Sequence, residues 1–414
     1  MLDDRLTPSG TLTDAFGRLR VTEPFTLFDS NHRYNDNGLW ATSNTAGATY
    51  AFQSNEGCIN LSVNSTANEE VVRETVKVFS YQPGKSLLVM NTFAMATPKT
   101  NLRQRVGYFG AQNGVFLEND GVTNYFVLRS YVTGSVVEIK IPQSEWNKDK
   151  FDGTGLSSQR GSTEHSGGLN VSKTNILWFD IEWLGVGDVR CGFVVDGRYC
   201  IAHIFHNDNV NTTTYMTTAT LPARYEIKNT GTTSGSSTMK QICTSIASEG
   251  GYALVGSQQA VGTPVSSPID LTNANTYYNL VSLRLKTSPD RLDAVAIISA
   301  ISLLGITNNA IYNWQVRSSG TTNGGTWANV GTESSVEYKI DGGTITGGRV
   351  LASGFFTSTT QSSVPVDISK EALFKFQLER NGLTSTPYEI TLCVATNTAG
   401  ADIYASMDWE EVTR

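Results

Sequence analysis

Short segments in which apolar and polar residues alternate recur along the first half of the chain. They lie at residues 71–81, 86–95, 105–119, 124–132 and 135–141. Alternation with a period of two is typical of strands that bury one face. Pairs such as Pro83–Gly84, Asn113–Gly114 and Asp120–Gly121 separate these segments and favour tight turns, because glycine and asparagine readily adopt positive φ. The pattern predicts antiparallel sheets, with one helix-like turn within residues 143–155.

The clearest strand pattern covers residues 176–209, which we expect to form a three-stranded meander. Asp196–Gly197 lies between two β-rich runs and is typical of a type I′ hairpin turn. One face of the first strand is predicted to carry only apolar side chains, namely Leu177, Phe179, Ile181 and Trp183. The opposite face is predicted to carry Trp178, Asp180 and Glu182.

The composition changes near the middle of the chain, where no charged residue occurs between Glu249 and Asp270. We therefore expect a linker at residues 251–270, between two antiparallel β-sandwich domains of jelly-roll or lectin-like type. The predicted domains are residues 31–250 and residues 271–414. In the second, "AVAIISAISLLGI" is apolar at successive positions, which predicts a central strand or one buried at a domain contact.

Residues 1–30 are predicted to form an extended N-terminal docking arm, because Pro8 and Pro24 interrupt any long helix. Four apolar side chains with the spacing of a bending, extended segment are expected to form an assembly interface: Phe16, Leu19, Phe25 and Phe28. They could be buried against the first sandwich of the same chain or against a neighbouring subunit. We favour the neighbour, since arms commonly join the subunits of symmetric assemblies.

Composition and charge narrow the classes of partner. The 414 residues carry a net charge of −7, with no visible cluster of Lys and Arg, so we expect no nucleic-acid binding. No apolar run approaches the ~20 residues that span a bilayer, so no membrane insertion is expected. The five cysteines lack CxxC spacing and are predicted to be buried free thiols, which suits assembly in a reducing cytosol.

Asp180 and Glu182 are the most suggestive pair of carboxylates, because positions i and i+2 of a strand point the same way. The segment "WFDIEW" resembles the strand motif of jelly-roll glucanases, which carries three alternating acids, but Trp178 stands at the first acid position. Without that nucleophile the retaining mechanism fails, so we expect no catalytic residue and no enzyme activity. Trp178, Asp180 and Glu182 remain candidates for glycan contact. Trp178, Trp314 and Trp327 could stack on sugar rings, although packing between sheets is the favoured alternative.

His203, His206 and Asp208 form a set of metal-ligand residue types, but residues i and i+3 of a strand face opposite sides. Hairpin pairing would also set the cation of Arg190 opposite His203, so we expect structural histidines. Residues 147–153 contain oxygen ligands without the spacing of an EF-hand. No nucleotide-binding or nucleophile motif occurs, and neither a metal nor another cofactor is expected.

Six segments in order carry a more specific resemblance. They are "DAFGRLRVTEPFTLFDS", "FSYQPGKS", "WNKDKFDGTG", "FDIEWLGVGDVRCGFVVDG", "TLPARYEIKN" and "CTSIASEGGY". Together they resemble a family of virion structural proteins of tailed bacteriophages that is frequent in marine phages and cyanophages. The resemblance covers roughly residues 12–255 and implies a non-enzymatic virion component assembled in the host cytoplasm.

Several placements in the particle fit this resemblance. A tail-associated fibre, baseplate or tail-attachment subunit is the first hypothesis, and a capsid decoration or head-fibre protein is the second. A carbohydrate-binding protein that recognises a receptor is the third. The expected partners are other virion proteins and copies of the chain itself, as a trimer or another symmetric oligomer, with host surface glycan as a further candidate. Low charge density and apolar strand edges suit a part that symmetry multiplies.

Overall fold

The computed structural model describes residues 23–155, 168–251, 256–358, 364–367 and 376–413. Antiparallel strands dominate these residues, so the mainly β fold predicted from the alternation is confirmed. Gln143–Glu145 forms a single turn of 3-10 helix where the sequence suggested a helical turn. No helix in the described part of the chain has both the length and the apolar character needed to cross a membrane.

The strands of the first sandwich run from β1 to β17. They are β1 (Phe25–Asn31), β2 (Trp40–Asn44), β3 (Thr49–Gln53), β4 (Cys58–Val63), β5 (Glu70–Thr75), β6 (Phe79–Ser80), β7 (Leu87–Ala94), β8 (Leu102–Phe109), β9 (Gly114–Asp120), β10 (Thr123–Ser130), β11 (Val137–Pro142), β12 (Asn175–Ile181), β13 (Val189–Val195), β14 (Arg198–Phe205), β15 (Thr220–Leu221), β16 (Ala223–Asn229) and β17 (Ser237–Ser248). Asp196 and Gly197 join β13 to β14 with φ of 49° and 73°. Positive φ at both positions confirms the type I′ turn.

Two large sheets face each other in this sandwich. Sheet A has the order β14-β13-β12-β7-β17-β4-β3, with β1 also paired to β17, and sheet B has the order β11-β10-β9-β8-β16-β5-β2. β6 and β15 form a separate two-stranded ribbon. The inward-facing residues make one core, whose most deeply buried aromatic side chains are at most 1% exposed: Phe93, Tyr108, Phe126, Phe179, Phe193 and Tyr225. Burial of each such side chain contributes about 1.5–3 kcal/mol.

The expectation of an arm that reaches a neighbouring subunit is wrong for its last residues. Phe25 pairs with Ser248 as β1 joins β17, and Phe25 packs against the core of its own sandwich. Phe28 is 6% exposed, and its ring lies 5.9 Å from that of Trp40 and 5.1 Å from that of Phe79, between centroids. Backbone pairing with β17 directs these apolar side chains inward. The predicted interface residues Phe16 and Leu19 lie outside the described residues.

The second sandwich contains strands β18 to β32. They are β18 (Ser257–Gly262), β19 (Ile269–Leu271), β20 (Tyr278–Leu285), β21 (Val295–Gly305), β22 (Ile311–Ser318), β23 (Thr321–Thr322), β24 (Ala328–Asn329), β25 (Val336–Ile340), β26 (Ile345–Thr346), β27 (Arg349–Thr357), β28 (Val364–Asp367), β29 (Arg380–Asn381), β30 (Thr386–Pro387), β31 (Ile390–Thr396) and β32 (Ala401–Thr413). One sheet has the order β18-β32-β21-β28 with β19 also on β32, and the other has the order β24-β25-β20-β31-β22-β27.

The predicted linker at residues 251–270 is wrong over most of its length. β18 and β19 both pair with β32, so these residues belong to the second sandwich. The polar, uncharged side chains of these residues give no strand signal in the sequence. Hydrogen bonds between backbones hold β18 in the sheet whatever its side chains are. The connection between the sandwiches is therefore shorter and lies between Ser248, where β17 ends, and Ser257, where β18 begins.

The apolar strand β21 lies at a contact between the two sandwiches, as one alternative from the sequence predicted. Val295 and Ile297 pack against Val78 of the first sandwich, while alternate side chains face the core of the second. Arg380 strengthens this junction, since its Nη1 lies 2.9 Å from Oε1 of Glu74 and its Nη2 lies 3.2 Å from Oδ1 of Asp293. The guanidinium thus joins a carboxylate of each sandwich.

Candidate functional site

A cleft of about 370 Å³ opens at one end of sheet A, where β12 and β17 end and β7 and β13 begin. We call it the acidic cleft, and its chemically active lining residues are Tyr81, Lys85, Ser86, Asp180, Glu182, Asp188, Arg190 and Glu249. Because antiparallel strands bring these ends together, residues from four separate stretches of the chain meet there. Two of the three predicted glycan-contact residues, Asp180 and Glu182, are among them.

Asp180 lies on the outer face of β12, opposite Arg190 of β13 and Leu88 of β7. Its Oδ2 accepts a hydrogen bond from Nη1 of Arg190 over 3.3 Å. Burial raises the pKa of the Asp180 carboxyl, and Glu249 adds to the rise, while Arg190 opposes it. The guanidinium is 54% exposed in its side chain and so offsets the burial only in part.

Glu249 follows β17 and is held by Ser86, whose Oγ donates to Oε2 of Glu249 over 2.6 Å. The backbone N–H of Glu249 also donates to the carbonyl of Ser86, over 2.9 Å. Lys85 donates from Nζ to Oε1 of Gln82 and to the carbonyl of Gly251, over 3.1 and 3.3 Å. Glu182 lies exposed directly after β12. The cleft therefore presents both acceptors and donors to solvent.

The charges lining the cleft do not balance. Four carboxyl groups, those of Asp180, Glu182, Asp188 and Glu249, face only two cationic side chains, Lys85 and Arg190. Because the site is concave and partly desolvated, this excess favours ligands that offer hydrogen-bond donors or positive charge.

Trp178 does not line the cleft, so its candidate role in glycan contact is wrong. Only 4% of Trp178 is exposed, because Tyr199 covers its ring edge-to-face at 5.4 Å between centroids. On the other side lies Gly192, where a Cβ would come within 2.8 Å of the indole ring. Trp178 therefore has no free face for a sugar. Tyr199 itself is 54% exposed and lies on the same face of sheet A as Asp180.

The other two candidate tryptophans also have partners in the fold. Trp314 lies against Gly354 and packs on the core of the second sandwich. Trp327 lies beneath two cations, with Cζ of Arg284 at 4.1 Å and Nζ of Lys339 at 5.0 Å from its ring centroid. These contacts favour packing over sugar stacking at both positions.

His203 and His206 do not share a site, but the predicted pairing of His203 with Arg190 is wrong. A bulge between Cys191 and Gly192 shifts the register, so His203 pairs with Cys191, and Arg190 lies opposite Ile204. His203 is buried, which lowers its pKa to about 4, and its Nδ1 accepts from the backbone N–H of Asn147 over 3.3 Å. His206 lies after β14, where Asp188 faces it.

Several cleft residues were not foreseen from the sequence. Ser86 and Glu249 meet because β7 pairs with β17, a contact between stretches more than 150 residues apart. Asp188 enters through the turn that follows β12. Gly185 and Gly187, which favour a tight connection after β12, are the local signal for the turn between Glu182 and Asp188.

The fold and the cleft define a mainly β protein built from two antiparallel sandwiches. Neither a protein-family model nor a curated protein matches the chain. Among solved structures it is similar to a Bacillus licheniformis beta-glucanase, with 11% identity, 55% of this chain and 99% of that chain covered, and a TM-score of 0.34. It is similar to the carbohydrate recognition domain of Emp47p, with 12% identity, 58% and 100% covered, and a TM-score of 0.34. It is also similar to the CBM2 module of an evolved Dit from Lactobacillus casei BL23 phage J-1, with 9% identity, 56% and 100% covered, and a TM-score of 0.35. Similarity at this level assigns no function to the chain.

Proposed function

We propose that this protein is a non-enzymatic structural subunit of a tailed-phage virion, associated with the tail, that binds glycan through the acidic cleft. The convergence of Asp180, Glu182 and Glu249 with Arg190 and Ser86 in one open cleft carries the glycan part of the proposal. The virion part rests on the sequence resemblance described above.

The chemistry of the cleft suits sugar hydroxyl groups. Each hydroxyl can donate to a carboxylate and accept from a guanidinium or an ammonium, and the cleft offers all of these. Tyr199 adds an exposed aromatic side chain on the same side of sheet A, where it pairs with Val194, four positions along β13 from Arg190. Polar groups that fix orientation beside an aromatic ring are typical of sites that bind small polar ligands.

The same geometry favours binding over hydrolysis. A retaining glycosidase needs a nucleophile and an acid close together. Trp178 occupies the first acid position of the glucanase motif and is buried, and Asp180 is paired with Arg190. Asp180 and Glu182 then act as acceptors for hydroxyl groups rather than as a catalytic pair.

Glycan binding is tested with the full chain on a glycan array and on polysaccharide from host cells. We expect Glu182→Gln to reduce binding at least tenfold, while Glu145→Gln, an exposed acid outside the cleft, leaves it unchanged. Equal binding by both variants would remove the cleft from the proposal. Release of sugar products that stopped in Glu182→Gln would contradict the non-enzymatic function.

The position in the particle is tested separately by mass spectrometry of purified tails and purified heads. We expect the protein in tails. Recovery only with heads would favour the alternative of a capsid decoration or head-fibre protein, and would leave the glycan experiment unaffected.

A further inference from the structure

Beside the acidic cleft, Asp188, His206 and Asp208 bring one carboxylate or imidazole ligand atom each to within 4.8 Å of one another. We propose that these three residues bind a divalent transition-metal ion, Zn²⁺ or Mn²⁺, at the mouth of the cleft. This site goes beyond glycan recognition and can be tested without any sugar.

The fold places these residues together at the open end of one hairpin. Val189 of β13 pairs with Phe205 of β14, so Asp188 and His206 face each other immediately beyond the last paired residues. Asn207 is buried and holds the segment in place, since its Nδ2 donates to the carbonyl of Gly187 over 2.8 Å. A turn from Asn207 then brings Asp208 alongside, with the N–H of Val210 donating to the carbonyl of Asn207.

The distance between two of the three ligand atoms fits metal coordination. Nδ1 of His206 lies 2.9 Å from Oδ2 of Asp188. Two adjacent ligands of an octahedral ion, each about 2.1 Å from it, are about 3.0 Å apart. The other oxygen of Asp188, Oδ1, accepts from the backbone N–H of Asn207 over 3.2 Å, which orients the carboxylate as outer hydrogen bonds do in metal sites.

The donor set and the surrounding charge select the ion. One imidazole with two carboxylates suits Zn²⁺ or Mn²⁺, whereas Ca²⁺ prefers six to eight oxygen ligands. An ion pair between His206 and Asp188 alone gives no role to Asp208. Within the described residues, Asp208 makes no hydrogen bond or ion pair, so its carboxylate is available as a third ligand. The excess of carboxylates in the adjoining cleft further favours a cation at this position.

The test is calorimetric titration of the full chain, with any affinity tag removed, using MnCl₂, ZnCl₂ and CaCl₂. We expect saturable binding of one Mn²⁺ per chain and weaker binding of Ca²⁺. Mn²⁺ is the deciding probe because thiolates, which five cysteines could supply, bind it poorly.

Variants identify the ligands. We expect His206→Gln and Asp208→Asn each to weaken Mn²⁺ binding at least tenfold. Asp196→Asn, which removes an acid from the opposite end of the same hairpin, is the matched control and should bind as the wild type does. Circular dichroism confirms that the variants are folded. Absence of saturable binding to the wild type, or equal binding by His206→Gln, would overturn the proposal.

Discussion

The two outer faces of the first sandwich differ in how their carboxylates are paired with cationic side chains. On sheet A, the acidic cleft brings together four carboxyl groups and two cationic side chains among its lining residues. On sheet B lies a set of charged side chains that we call the charge ladder, and four of its seven members, Arg105, Glu118, Arg129 and Glu226, are buried. The other three members are Glu138, Lys140 and Arg224. Both sets of side chains lie outside the main core of the first sandwich.

The two faces differ in the number of oppositely charged partners that each side chain has. Arg105 contacts three carboxylates, with Nε 2.6 Å from Glu118, Nη2 3.3 Å from Glu138 and Nη1 3.4 Å from Glu226. Its guanidinium also lies 5.1 Å from the ring centroid of Phe116. Cross-strand neighbours of opposite charge thus cover one another, and each charge has several partners.

The pKa directions follow the pairing. Burial acts to raise the pKa of Glu226, but Arg224, Arg105 and Arg129 outweigh it and hold that pKa below its usual value. Burial raises the pKa of Asp180, and the single exposed Arg190 does not compensate. Carboxylates that stabilise the fold are satisfied within the chain, whereas those of the cleft keep hydrogen-bonding capacity for a ligand.

The largest effect is expected from removing the central cation of the ladder. Arg105→Met leaves Glu118 and Glu226 buried with fewer partners, so the free energy of unfolding should fall by about 3 kcal/mol. Arg190→Met removes an arginine–carboxylate pair from the cleft and should cost less than about 1 kcal/mol, since the guanidinium of Arg190 is 54% exposed in its side chain. Urea unfolding followed by tryptophan fluorescence measures both. Similar losses in the two variants would contradict the distinction between the faces.

Lowering the pH should remove the contribution of the charge ladder to the free energy of unfolding. The folded-state pKa of Glu226 lies below 4.5, so its stabilisation is present above that pH and is lost as the pH falls through the folded-state value. The gap in unfolding free energy between wild type and Glu226→Gln should therefore shrink below about pH 4.5, by about 1.4 kcal/mol for each unit of pKa depression. Urea titrations from pH 7 to pH 3 measure the gap. A constant gap would mean that Glu226 acts through packing alone.

Tyr199 tests whether the cleft face recognises sugar rings. Tyr199→Ala should weaken glycan binding about tenfold, because a stacked ring contributes about 1.4 kcal/mol. Tyr34→Ala is the control, as Tyr34 is 83% exposed and lies outside the cleft. Affinity for the strongest array ligand is measured for both. An unchanged affinity in Tyr199→Ala would limit recognition to the polar groups.

Much of the fold follows from local patterns in the sequence, but the site depends on contacts that such patterns do not contain. Alternation and the Asp196–Gly197 turn predicted the β12–β14 meander, and the inward face of β12. The burial of Trp178 depends on Tyr199, which the bulged hairpin carries over it. The meeting of Ser86 with Glu249 depends on pairing between distant strands. Such contacts follow from sheet order, which loops of similar length leave undetermined.

The smallest expected effect is an increase in the free energy of unfolding rather than a loss. It distinguishes the outer faces of sheet A and sheet B most clearly. The pKa of Asp180 is raised in the folded state, so its ionised form works against folding at neutral pH. Asp180→Asn should therefore increase the free energy of unfolding by about 0.5 kcal/mol at pH 7, as often happens when a binding-site charge is removed. The gain should diminish as the pH falls through the folded-state pKa, because the wild-type carboxyl then becomes neutral.

The same variant should lose glycan affinity while it gains stability. That combination is expected for a charge kept for binding, whereas Glu226→Gln, in the ladder, should lose stability and leave glycan affinity unchanged. Urea unfolding and array binding of the two variants, measured side by side, test the comparison. If Asp180→Asn lost more than about 1 kcal/mol, Asp180 would be a structural carboxylate like those of the ladder, and sheet A would have no face reserved for a ligand.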